Sequence, residues 1–306
     1  MSVLVLHTIP SEALEPGRVA DEFDLSAAVS NVASVLPEAL VCAVRGEVRE
    51  ILALLDRHQP DVLFNGCEAP LGRPDLEAHV AALLEWLGVR FTGCGSETLA
   101  LCRRKDLVIA VLRGAGVPVP LTINPARPLF PCIVKPAADD GSAGLDRDSV
   151  CEEPQALARA VARLQRPAVI EEFLPGREFA VSLWGRLRPD YVSIGEIIFQ
   201  QGLQLITYAG KWQAETADFA NVAIFYQSDI GSKLREAIVA AAAGAWHCVG
   251  ARHAIRVDVR LDAAGNPRVL DVNPNPEISP GVGICRGVQE AGWQWEDFVR
   301  KLVEWA

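Results

Sequence analysis

The sequence predicts an α/β fold, and three observations carry that reading. Short apolar runs of strand length alternate with helix-compatible stretches up to about residue 97. Glycine, asparagine and proline punctuate those runs where strands and helices must stop. Beyond Pro118 and Pro120 the texture changes to strands in closer succession, which places further units behind an open, mostly parallel layer. The chain has 306 residues, half of them hydrophobic, so it holds material for two or three cores.

Val3–Leu6 is the first buried strand, followed by a polar loop from Ile9 to about Asp24. Leu25–Leu40 has helix-compatible composition, Val41–Val44 reads as a strand and Val48–His58 as a helix. Asp61–Phe64 is a third strand, stopped by Asn65-Gly66. Asp75–Leu87 is an amphipathic helix closed by Gly88 at the C′ position, and Val89–Thr92 is a short strand ended by Gly93. A helix over Ser96–Ala115 runs into Gly116, and the two prolines enforce an extended connector. Cys132–Pro136 is then a strand, Ala137–Leu145 a Gly/Asp/Ser loop, Glu153–Gln165 a helix and Ala168–Phe173 a strand. Glu178–Gly185 and Tyr191–Phe199 are strands, and Lys233–Gly250 is an alanine-rich helix. His253–Leu261 and Pro267–Val272 form a hairpin across a turn that contains Gly265-Asn266, and Trp293–Trp305 is the last helix. The best boundaries fall near residues 97 and 180, giving segments 1–97, 98–180 and 181–306.

Composition excludes several classes. A formal net charge of -10 with no Lys/Arg run lacks the footprint of a nucleic-acid binder. No apolar stretch approaches the length of a membrane span, and the N-terminal run is too short for a secretory leader. The eight cysteines include no CxxC pair, so a zinc site and a disulfide framework are not expected; buried thiols in a reducing cytoplasm are.

Three constellations carry chemistry. Arg256, Asp258 and Arg260 alternate onto one face of their strand, as do Asp271 and Asn273 on the next. Antiparallel pairing can gather Asp258, Asp271 and Asn273 into a set of hard oxygen ligands suited to Mg²⁺ held together with nucleotide phosphates. The competing reading is a solvated polar face on an edge hairpin, against which stand Ile255, Val257, Val259, Leu270 and Val272. Lys135 ends an apolar strand before the Gly141-Ser142-Ala143-Gly144 loop, whose small residues allow backbone N–H groups to approach an anion. The loop is not a P-loop, and a plain surface loop remains open. Glu171-Glu172-Phe173-Leu174 closes an apolar strand in a way that can present backbone groups to adenine, with Glu178 able to accept from ribose hydroxyls; a surface Glu-Glu pair is the alternative.

Taken together in this order, the elements resemble the ATP-grasp superfamily, and most nearly the D-alanine–D-alanine ligase family, over almost the whole chain. The resemblance implies three subdomains: an N-terminal α/β domain on the substrate side, a central lid, and a C-terminal part with the metal and catalytic site. The nucleotide would sit between the last two. It implies Lys105 and Lys135 as ATP lysines, the loop with Ser142 as a phosphate cover, and Glu171, Glu172, Phe173 and Leu174 as the adenine hinge. Glu178 becomes the ribose ligand, Lys211 a residue near phosphates and substrate, Arg256 the substrate-orienting arginine, and Asp258, Asp271 and Asn273 the metal ligands. The cofactors implied are ATP and two Mg²⁺, with Mn²⁺ able to substitute. The partners implied are a small carboxylate and an amine, and a homodimer is usual in such ligases.

Departures cluster on substrate recognition. Gly66-Cys67-Glu68 stands where the family has His-Gly and a longer loop, Trp212 where it has tyrosine, and Glu277 where it has a glycine facing the oxyanion. The N-terminal Ser–Glu segment has no plain counterpart, with Glu22 or Asp24 as its substitute. Trp212, Glu277, Ser279 and Glu22 are therefore the expected substrate residues. The function expected is an ADP-forming carboxylate–amine ligase in a specialised biosynthetic role. D-alanyl-D-alanine synthesis, an ATP-dependent cyclase and a non-catalytic nucleotide-binding module stand as alternatives.

Overall fold

The computed structural model describes residues 1–9, 26–139, 141–200, 202, 204–226, 229–281 and 283–306. The loop expected from Ile9 to Asp24, and with it Glu22, lies past Ile9 outside the described residues.

The N-terminal layer holds β1 (Val3–Thr8), α1 (Ser26–Val35), β2 (Leu40–Val44), α2 (Val48–His58) and β3 (Val62–Gly66). The sheet runs β2-β1-β3 with both pairings parallel. Alternation along β1 serves two cores at once. Leu4 and Leu6 face one cluster with Leu63, while Val5 faces another with Val62 and Phe64. A parallel strand covered on both faces needs such an uninterrupted apolar run.

The strand expected over Val89–Thr92 shrinks to one parallel bridge between Phe91 and Leu63. Gly88 and Gly93, both at positive φ, turn the chain on either side of it. α3 (Glu77–Trp86) starts later than expected, because Pro74–Leu76 forms a separate 3₁₀ turn first.

The single helix expected over Ser96–Ala115 is two: α4 (Ser96–Arg103) and α5 (Lys105–Gly114). Arg104 between them takes extended backbone (φ -98, ψ 90) and bridges to Ala138. The Lys105 N–H then donates to the Ala137 carbonyl at 2.8 Å. Helical periodicity runs through this break, so the sequence does not show it. The break puts Lys105 on the first turn of α5, beside the loop that follows Lys135.

A small antiparallel sheet, order β5-β4-β6, comes from β4 (Cys132–Pro136), β5 (Val150–Cys151) and β6 (Ala168–Glu172), with α6 (Pro154–Leu164) against it. It has its own core of Ile123, Cys132, Val134, Cys151, Leu157, Ala160 and Ile170.

The largest sheet is antiparallel, order β11-β10-β7-β8-β9. Its strands are β7 (Glu178–Gly185), β8 (Tyr191–Phe199), β9 (Val222–Phe225), β10 (His253–Leu261) and β11 (Pro267–Asn273). Helices α7 (Tyr208–Trp212) and α8 (Ala217–Ala220) precede β9, α9 (Ser232–Val249) follows it, and α10 (Gly283–Glu290) and α11 (Trp295–Trp305) end the chain. Among these, α7, α8, β9 and α10 carry too few residues for a readable period and were not expected. α9 packs its Ile238, Ala242 and Trp246 face into the core shared with the N-terminal layer.

Polar contacts tie that layer to the large sheet. The buried His253 Nδ1 accepts from the Gly93 N–H at 2.9 Å, and Arg252 Nε donates to the Gly93 carbonyl at 2.8 Å. Burial lowers the His253 pKa to about 3, so the ring stays a neutral acceptor. No described helix is long and apolar enough to cross a membrane.

Candidate active site

Between the small and the large sheets lies a cavity of about 1040 Å³. This is large for a small-molecule site and leaves room for more than one ligand. Its floor is the β10–β11 hairpin. Register pairs Asp258 with Asp271 and Arg256 with Asn273, so the two carboxylates stand directly across the ladder, as alternation predicts. The register then slips, because Val259 pairs with Val269. Leu270 is thus the extra residue of a β-bulge, and it lines the cavity while Val269 stays in the core. A bulge has no sequence period, so Leu270 was read only as apolar packing.

Each charged group on the floor has a partner. Arg256 donates to Asp258 through Nε at 2.7 Å and Nη2 at 3.0 Å, a bidentate fork. Asp258 beside it holds the guanidinium protonated well above the ordinary arginine value. Lys105 Nζ donates to Asp271 Oδ2 at 2.9 Å. Burial pushes Asp271 up, but Lys105, Lys135 and Arg256 outweigh it and hold the carboxyl below its usual range. Asp271 is therefore an ionised oxygen donor, and with Asp258 across the ladder it makes a pair of hard ligands of the kind Mg²⁺ takes together with phosphate oxygens. Asn273 is placed differently from the expectation. Its Oδ1 accepts from the Asn275 N–H at 3.0 Å, and the residue does not line the cavity.

Lys135 reaches the cavity from the end of β4, and its Nζ donates to Glu171 Oε2 at 2.8 Å. Glu171, expected at an adenine hinge, is 2% exposed and does not line the cavity. Register explains the exchange: Glu171 opposes Ile133, two residues before Lys135 and on the same face. Its role in this geometry is to hold the lysine. Glu172, Phe173 and Leu174 do line the cavity, and Glu172 Oε1 accepts from the Leu121 N–H at 2.9 Å.

Glu178 lines the cavity at the start of β7 and pairs with the buried Arg260, whose Nη1 donates to Oε2 at 3.0 Å. The Arg260 guanidinium stacks over Phe173 at 4.8 Å and Phe199 at 5.9 Å. Burial pushes Glu178 up to about 7, with Arg260 opposing the rise and Asp258 adding to it. The folded protein thus keeps a proton that the unfolded chain releases from its ordinary 4.5 upward. Between those values Glu178 makes stability fall as pH rises, by at most about 1.4 kcal/mol per pH unit for one proton, and the loss levels off above pH ~7. Urea midpoints of Glu178→Gln are expected to lack that slope; an identical pH profile in variant and parent would show that Glu178 does not titrate there.

Two loops form the roof. Gly141, Ser142 and Gly144 all take positive φ, which only a short, small-residue turn accommodates, and Ser142 faces the cavity. Asp139, 5% exposed, anchors the loop through an ion pair with Arg166. The α7–α8 segment clasps the same loop. Trp212 Nε1 donates to the Gly141 carbonyl at 2.8 Å, the Tyr208 N–H to Leu145 at 2.9 Å, and Arg147 Nη2 to Asp218 at 2.5 Å. Trp212 therefore binds the roof together as well as lining the cavity. Lys211 lines it beside Trp212, its Nζ 5.2 Å from the ring.

Glu277 and Ser279 line the cavity on the segment before α10. Glu277 Oε1 accepts from the Ser279 N–H at 3.0 Å. Glu68 comes close to this end from the N-terminal layer. Burial pushes its carboxyl up to about 8, the nearby Glu277 adds to that, and Lys211 opposes it. Glu68 was not singled out in the sequence, although it sits in the segment that departs from the family. Tyr226 and Arg286 also line the cavity and carried no sequence signal.

With this geometry in view, comparison with known proteins decides the family. A family model described as D-ala D-ala ligase C-terminus matches residues 124–304, well over half of the chain. The chain belongs to this family. The relatives span its full architecture. An uncharacterized protein of Sinorhizobium fredii, y4sG, is 27% identical over 315 residues, which cover 96% of this chain and 89% of that protein. The D-alanine–D-alanine ligase of Rhizobium meliloti is 26% identical over 272 residues, 84% of each chain. Among solved structures, the Bacillus anthracis D-alanine–D-alanine ligase complexed with ATP superposes with a TM-score of 0.75 at 17% identity, covering 99% of this chain and 96% of that one. The fold is thus that of an ATP-grasp ligase throughout, with the parallel N-terminal sheet and both antiparallel sheets.

Proposed function

We propose that this protein is an ATP-dependent, ADP-forming ligase that activates a small amino-acid-like carboxylate as an acyl phosphate and couples it to an amine. One observation carries the reading: Lys105 from α5, Lys135 from β4 and the Asp258–Asp271 pair from the hairpin converge on a single cavity roofed by a glycine-rich loop. The ATP bound in the Bacillus anthracis relative supports a nucleotide between the small and large sheets here. Phe173, Leu174 and Leu270 would flank the base, and Glu178 would accept from the ribose.

Asp258 and Asp271 would hold Mg²⁺, which supplies positive charge to the phosphates when bound; Asn273 would join them only by giving up its bond from the Asn275 N–H. The protein's own groups do the rest. Lys135 and Lys105 offset charge on the phosphates while a substrate carboxylate oxygen attacks the γ-phosphorus and ADP leaves. Arg256 orients the carboxylate and stabilises the oxyanion formed when the amine attacks the acyl carbon. Phosphate then departs, and the amine loses its proton. The roof at Gly141–Gly144 and Trp212 excludes water, which would otherwise hydrolyse the acyl phosphate.

Trp212, Glu277 and Glu68 support a substrate pair other than two D-alanines, since each differs from the family pattern at the substrate end. The test is ADP and phosphate release from MgATP against a panel of D- and L-amino acids, with product masses. Amide-forming products with ADP are expected. Tight ATP binding without turnover against every member would favour a non-catalytic nucleotide-binding module.

A further inference from the structure

We propose that Glu77 is a positioning residue: from the N-terminal layer, through Asn275, it fixes the chain that leaves the hairpin floor and forms the cavity wall at Glu277 and Ser279. What that wall meets rests on the ligase reading; the clamp itself does not.

The sequence after β11 makes this chain depend on one residue. Asn273-Pro274-Asn275-Pro276 holds two prolines, which have no N–H, fix their own φ and disfavour the helical conformation for the asparagine before each of them. Asn275 thus carries the only backbone N–H across residues 274–276. That N–H donates to Asn273 Oδ1 at 3.0 Å, and the side-chain Nδ2 donates to Glu77 Oε1 at 2.7 Å. A stretch this stiff moves as a unit, so a grip on Asn275 is felt at Asn273 on one side and at Glu277 on the other.

Glu77 reaches across from another layer. It opens α3, 198 residues away along the chain. Burial pushes the Cys67 thiol up to about 12 and the Glu77 charge adds to that rise, which puts Glu77 near the turn that leaves β3. A bond from an amide to a carboxylate is stronger than one between neutral groups. The far end of the segment is tied separately. The Ile278 carbonyl accepts from Trp295 Nε1 at 2.9 Å and from Cys285 Sγ at 3.1 Å. With both ties made, Glu277 and Ser279 line the cavity, and the Ser279 N–H donates to Glu277 Oε1. Neither Glu77 nor Asn275 lines it, so both act through the wall.

An acidic residue in the first turn of a helix also suits the helix dipole. The two roles part in Glu77→Gln, which drops the charge and keeps an oxygen acceptor for Asn275.

The test measures hydrogen exchange at the Asn275 and Ser279 amides in nucleotide-free protein, and ADP release with KM determined separately for MgATP and for D- and L-amino acids. Glu77→Ala is expected to speed exchange at both amides by about 10-fold, to lower kcat/KM for the amino acids by about 10-fold, and to leave KM for MgATP within about 3-fold. Glu77→Gln should behave as the parent in each measurement. Asn275→Asp alone sets two carboxylates against each other. Adding Glu77→Gln to it restores a bond with the direction reversed, so the double variant should recover most of what Asn275→Asp loses. Unchanged exchange in Glu77→Ala, equal losses for MgATP and amino acids, or a double variant no better than Asn275→Asp would overturn the proposal. If the parent turns over no amino acid, the ligase reading falls, and exchange at the two amides in the same variants decides the clamp alone.

Discussion

Asp271→Ala is expected to cut ADP release at saturating ATP and Mg²⁺ by about 10³-fold while the protein stays folded. The size follows from two losses at once. One of the two facing carboxylates that would hold the metal disappears, and Lys105 loses the partner that fixes its ammonium at 2.9 Å. Removing a single preorganised charge-stabilising group typically costs about 10²–10³ in rate, and here a second is released with it. Asp271 is only partly buried, so folding is little affected. Steady-state ADP release and a thermal melt of the same preparation check this. A variant that keeps a tenth or more of the parent rate would remove Asp271 from the site's chemistry.

Glu171→Gln is expected to lower stability by about 3 kcal/mol, because it leaves the Lys135 ammonium, itself 12% exposed, without its buried carboxylate. A shift of that size corresponds to a melting temperature about 5–10 °C lower. ATP should restore more stability to the variant than to the parent, since phosphate then stands in for the Glu171 carboxylate that Lys135 has lost. Melting curves with and without ATP measure both effects. Equal stabilisation of the two proteins by ATP would show that Lys135 does not meet the nucleotide.

These two residues illustrate what the sequence discloses. Asp258 and Asp271 were legible because strand alternation has a fixed period and a hairpin has one antiparallel solution, so their meeting follows from spacing alone. Lys135 was legible as the end of an apolar run. Glu171 was misplaced because the sequence shows its neighbours along the chain but not the strand opposite, and only the β4–β6 register reveals that it lies under Lys135. The break at Arg104 was hidden by helical periodicity that continues on both sides. Leu270 depends on a bulge, Glu68 on the approach of the N-terminal layer, and Arg286 on an eight-residue helix after a Pro/Gly-rich stretch. Long-range contacts of this sort leave no local pattern. The parallel N-terminal layer and the antiparallel strands were readable, whereas the short elements between β8 and α9 were too brief to register.

The central claim is that a carboxylate is activated by transfer of the γ-phosphoryl group. Its most direct test uses an amino acid that supports ADP release, labelled with ¹⁸O in its carboxylate, with the phosphate product examined by ³¹P NMR. Attack of the carboxylate on the γ-phosphorus, then loss of phosphate from the acyl phosphate, predicts one ¹⁸O in each phosphate released. Unlabelled phosphate, or AMP and pyrophosphate in place of ADP, would contradict it.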